Sequence, residues 1–249
     1  MTLEQLLGVL VVLFSAGGIL VYTYRPGVAR RIRLRKIPAL SSMTRAVNLS
    51  VEDGSRVHVS LGKADLTEAT NPSALAALDT LNWVNQLGAS GDQPPISTSG
   101  NGGLALLSQD VLRSTTDETD SRDSSPVNAG QLAGIDPLSY ALGTRDVMLE
   151  PGVHTNLLIG NFGPEAAILT TIAKSVDSSV IGTSDSITGQ SVFAATTSEM
   201  LIGEELYAIP AYLAGHPVHL ASLRVQDLLR LMVGAALMIG AMLGFLGVL

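Results

Sequence analysis

The sequence predicts an α/β protein: a three-layer domain with a mostly parallel sheet of about five strands, flanked by two terminal transmembrane helices. Three observations carry that reading. Both ends hold a 19-residue run without a charge, Leu6 to Tyr24 and Leu231 to Leu249. Between them, short apolar strands alternate with helical stretches across short connections, which means parallel β-α-β units. The strands, such as Leu157-Leu158-Ile159, are apolar without alternation, as in a sheet covered on both faces. The implied division is a membrane helix over 1–24, a basic segment over 25–42, a cytoplasmic domain over 43–223 with a mobile loop at 114–128, and a membrane helix over 224–249.

The first run is long enough to cross a bilayer, because 19 helical residues rise about 28 Å. Tyr22 and Tyr24 close it, where an amphipathic ring suits the headgroup region. A cleaved signal peptide is the rival reading. It would place positive charge before the apolar run. Here Met1 to Gln5 carries Glu4 and no base. The bases follow instead: Arg25, Arg30, Arg31, Arg33, Arg35 and Lys36. Arg224 and Arg230 likewise precede the second run, with Asp227 between them. Basic residues on the domain side of both runs predict a domain in the cytoplasm, both termini outside and residence in the cell membrane. These eight bases are also the expected contacts for anionic lipid headgroups.

Charge is distributed unevenly. The formal net charge is −7, yet 37–223 holds seven bases against 20 acids. An acidic body excludes nucleic acid as a partner, since that needs clustered Lys and Arg. Aromatic residues make up only 4%, which leaves few stacking surfaces. The absence of cysteine rules out disulfides, thiolate metal sites and cysteine nucleophiles.

Taken in order, Met43, Ala46, Val47 and Val51 are spaced as one helix face that Gly54 can end. A hairpin through Asp53-Gly54 is the alternative, because Val47, Leu49 and Val51 also alternate. Val57, Val59 and Leu61 read as a strand ending at Gly62. Asn71-Pro72 starts a helix, one side of it marked by Leu75, Leu78, Leu81, Val84 and Leu87. A short strand spans Pro95 to Ser99, and Leu104, Leu107, Val111 and Leu112 mark the next helix. The stretch from Ser114 to Asn128 is almost wholly polar and offers no pattern to bury, so it reads as a solvated loop.

Helix resumes at Asp136-Pro137 and runs to about Glu150. Thr155 to Gly160 is a strand, followed by the turn Asn161-Phe162-Gly163-Pro164 and a helix over Glu165 to Val176. Its acid lies at the N-terminal end and Lys174 near the C-terminal end, as the helix dipole favours. Ser179 to Thr183 is a strand, Ile187 to Thr197 a helix, Met200 to Gly203 a strand and Tyr207 to Ala214 a short helix.

Ligands of open parallel sheets sit beyond the carboxyl ends of the strands. The candidate ligand-binding residues there are Ser60, Ser99, Asn161, Asp185 and Glu204. The same residue types are what turns and helix caps require. Gly160-Asn161-Phe162-Gly163 is a poor dinucleotide fingerprint, and no phosphate loop with a lysine appears. His216 and His219 are three apart, without a third ligand nearby. Asp185, Glu204 and Glu205 form a weak magnesium alternative. His58, inside a strand, reads as a surface or packing residue, and no nucleophile elbow is present. The expectation is no catalytic residue, no metal and no cofactor.

In the second run Ala236, Gly240 and Gly244 recur every four residues and predict a helix-packing face. Its mate would be Gly17 and Gly18 of the first run, or a second copy of the protein. The alternative is that glycine is simply common in membrane helices.

Three stretches carry a resemblance: Arg31-Ile32-Arg33-Leu34-Arg35-Lys36-Ile37-Pro38-Ala39, Val57-His58-Val59-Ser60-Leu61-Gly62 and Leu201-Ile202-Gly203-Glu204-Glu205-Leu206. Together they resemble an uncharacterised bacterial membrane family with a cytoplasmic α/β body between two terminal spans. The resemblance implies that layout and brings no activity with it. Two functions remain in play. One is a non-enzymatic scaffold or accessory subunit assembling in the membrane with copies of itself or another membrane protein. The other is a small-ligand or nucleotide-binding domain, with hydrolysis as a variant, using the strand-exit crevice. Transport ranks third, because uncharged spans offer no ion path.

Overall fold

A computed structural model describes residues 2–24, 34–67, 71–88, 91–114 and 129–246. It falls into two compact units. One comprises Met1–Arg35 with Ala214–Leu249, and the other is the body, Lys36–Leu213. Each is described separately.

The first unit contains α1 (Leu3–Tyr24) and, at the other end of the chain, α9 (Pro217–Phe245). Both are long and apolar enough to cross a membrane. Pro217 opens α9 at a position where its missing N–H costs nothing. The two helices meet at Gly18: a Cβ there would lie 2.9 Å from Cγ2 of Val225. Glycine lets Val225 settle against the α1 backbone. Arg25, Arg30, Arg31 and Arg33 lie outside the described residues, as does 115–128 of the polar loop.

The body is built on six parallel strands: β1 (Arg56–Gly62), β2 (Ile96–Ser99), β3 (Gly130–Leu132), β4 (Val153–Asn161), β5 (Ser179–Ser184) and β6 (Glu199–Met200). Their order is β3-β2-β1-β4-β5-β6. This is the doubly wound arrangement in which strand order reverses between β1 and β4. The strand beyond the expected five is β3. Gly130-Gln131-Leu132 is too short to display a period, so pairing with β2 alone reveals it.

Strand periodicity then divides the core. Val57, Val59 and Leu61 of β1, with Leu157 and Ile159 of β4, point to one face. There they pack beneath α2 (Pro38–Glu52), α3 (Asn71–Gly88), α4 (Gly102–Ser114) and α8 (Glu205–Leu213). Leu158 points to the other face, under α5 (Pro137–Met148), α6 (Ala166–Ser175) and α7 (Ile187–Thr196). On that side Phe162 meets Phe193 edge-on at 5.7 Å and Tyr140 at 6.3 Å. Gly182 of β5 admits the Phe193 ring, since a Cβ there would overlap it.

Local chemistry explains most boundaries. The helix reading of the 43–51 stretch holds over the hairpin. Ile37 precedes α2, Pro38 takes its first position and Gly54, at φ +70°, follows its end. Ser139 accepts the Asp136 N–H at 3.1 Å in front of α5. In α3 the buried stripe is Ala74, Ala77, Leu78, Leu81 and Val84, while Leu75 stays half exposed. The small alanines take the contact with the sheet that leucine spacing assigned to Leu75. Ser114 closes α4.

Candidate functional site

In a doubly wound sheet the place for a ligand is the exit of β1 and β4, where loops diverge to opposite faces. Here those exits do not diverge at once. Past a register shift between Ser60 and Gly62, the two strands keep pairing. Lys63 N–H donates to the Asn161 carbonyl at 2.9 Å, and Gly100 N–H donates to the Gly62 carbonyl at 2.8 Å. Gly62 at φ +70° and Gly160 at φ +145° make this possible. A Cβ on either would strike the other strand's carbonyl, that of Asn161 or Leu61. Only glycine fits both the backbone angle and the space.

Phosphate recognition at such exits depends on free backbone N–H groups. Several amides at the described exits are committed within the protein. Gly62 N–H donates to the Tyr140 hydroxyl and Asn101 N–H to Ser99 Oγ. Phe162 N–H donates to Ser184 Oγ and Gly163 N–H to Glu165 Oε1. Asp185 N–H reaches the Gly160 carbonyl and Ser186 N–H reaches Ser184 Oγ.

The five candidate residues are therefore dispersed. Asn161 and Asp185 do come together, with Asn161 Nδ2 donating to Asp185 Oδ1 at 2.7 Å. The other oxygen, Oδ2, accepts the Ser73 hydroxyl at 2.7 Å. Tyr207 lies near enough that burial first, and the Asp185 charge second, raise its phenol. Ser99 serves its own turn, accepting from Asn101 N–H and donating to the Asn101 carbonyl. Ser60 is fully buried on the α5 side of the sheet. Glu204 is exposed, and its carbonyl accepts the Tyr207 N–H. Among the described residues no group of three or more His, Asp or Glu is placed to hold a metal. The His216 and His219 rings stand 6.1 Å apart.

The sequence reading passed over two arrangements. The first is an ion pair at the switch point, Lys63 Nζ to Glu165 Oε1 at 2.8 Å. Burial would raise the Glu165 carboxyl, but the Lys63 ammonium and the Gly163 N–H outweigh it and hold the group below its ordinary value. The second is a buried polar chain beneath α5. Ser60 bonds the Tyr140 hydroxyl, Thr98 approaches Ser60 at 3.3 Å and His58 Nε2 at 2.9 Å, and His58 Nδ1 meets Asn156 at 2.8 Å.

The donors in this chain can be assigned. Ser178 Oγ donates to the Ala173 carbonyl and so accepts from Asn156 Nδ2. Asn156 Oδ1 must then face His58, whose Nδ1 carries the proton. With Nδ1 protonated, Nε2 is an acceptor, so Thr98 gives it its hydroxyl proton, at the shortest of the Thr98 contacts. Burial pushes the His58 pKa down to about 4, against the opposing pull of the Asn156 hydrogen bond. The ring is neutral and packed. The sequence did hold a sign of this: His58 and Ser60 share a parity in β1, on the face that β4 presents Asn156.

Of the basic positions within the described residues, Arg35 and Lys36 are exposed. Arg224 is half-buried, and Arg230 stands 3.9 Å from Asp227. Among the described residues nothing lies within 4 Å of where a Cβ would be at Gly17, Gly240 or Gly244, and Ala236 is exposed.

Comparison with curated proteins and with solved structures finds no match. One family description matches residues 1–249, a domain of unknown function designated DUF6754, and the chain belongs to that family.

Proposed function

We propose that this is a two-span integral membrane protein whose acidic α/β body lies on the cytoplasmic side as a non-enzymatic scaffold or accessory subunit. The reading rests first on the exits of β1 and β4, where the amides of Gly62, Lys63, Phe162 and Gly163 are donated within the protein and the central gap is closed by paired backbone. A body built this way presents a fixed shape rather than a cradle. Two exposed apolar helices at the chain ends supply the anchor. The basic positions 25–36, with Arg224 and Arg230, favour anionic headgroups on the body's side.

The test is single-cysteine labelling, which the cysteine-free chain allows directly. An impermeant thiol reagent applied to intact cells is expected to label Thr2→Cys and Leu246→Cys and to spare Ser121→Cys. Labelling at 121 with none at either end would overturn the orientation.

A second reading is favoured by one observation, the β3-β2-β1-β4-β5-β6 order, which is the arrangement of many nucleotide-binding domains. On that reading a small ligand sits beside Asn161 and Asp185. Native mass spectrometry of the purified chain separates the two: the scaffold reading expects the bare polypeptide mass, the ligand reading a discrete addition.

A further inference from the structure

We draw no further inference here: the strongest candidate, the surface patch that Leu138 and Leu142 of α5 form with Leu149 at its end, is an unpartnered apolar face, and nothing among the described residues shows what covers it.

Discussion

The Asp185 carboxylate accepts the Ser73 hydroxyl at 2.7 Å, across 112 residues of sequence. With Asn161 on its other oxygen, Asp185 ties the exits of β4 and β5 to the first turn of α3. An acid held in this way is a clasp between elements.

The clasp gives the first prediction. Asp185→Asn with Glu204→Gln should cost about 1–2 kcal/mol of stability, the scale of a lost cap or local hydrogen bond. Denaturant unfolding followed by Trp83 fluorescence would measure it. A copurifying small molecule or metal that vanishes in the double variant would instead support the ligand-binding reading.

The second concerns acid. His58 has a folded pKa of about 4 against an ordinary 6.5. The unfolded chain therefore binds the proton more readily, and stability falls as pH drops through that window. Protection is full above pH 6.5 and lost progressively toward pH 4, by about 3 kcal/mol in all. Unfolding midpoints measured across this range should show the slope, and His58→Gln should flatten it. A wild-type slope that persists in the variant would place the titration elsewhere.

The third concerns Lys63 and Glu165. Removing only the lysine leaves a carboxylate with 1% side-chain exposure facing no cation. Lys63→Met should cost about 2–4 kcal/mol, less than a fully buried pair because Lys63 is partly solvated. Adding Glu165→Leu should recover much of that loss. Because the pair holds the Glu165 carboxyl low, its contribution is present at neutral pH and fades as acid protonates that carboxylate. Additive losses in the double variant would show that the two side chains are not coupled.

The fourth separates two glycines. Gly18→Leu drives a side chain into Val225 and should weaken the α1–α9 contact by about 1–3 kcal/mol. At Gly240 no described residue lies within 4 Å of a Cβ position, so Gly240→Leu should leave that contact intact. Cysteine cross-linking between positions 19 and 222 in each background reports the difference. Equal loss in both would mean that Gly240 serves the same pairing.

The fold was legible because most of its signals are local. Runs such as Leu157-Leu158-Ile159 and helix starts such as Asp136-Pro137 are read from neighbouring residues alone. β3 was not legible, since three residues carry no period. The candidate site was harder to read for a different reason. Ser60, Ser99 and Asn161 are the residue types that both ligands and turns use, and only their partners distinguish the uses. Ser60 meets Tyr140, 80 residues away. Glu165 looked like an ordinary first-turn acid, and nothing near it in sequence announced Lys63.

Strand order also fixes a timetable. β1 lies beside β4, so that His58 must wait for Asn156, 98 residues later in synthesis. Until then β1 has only β2 to pair with, and its other edge stays open. Non-local pairing of this kind is slow and leaves sticky intermediates. If α1 has already entered the membrane, the nascent body spends that interval tethered at the bilayer surface. A released chain truncated near residue 150 should therefore form a protease-sensitive half-sheet, and one extending beyond residue 213 a closed one.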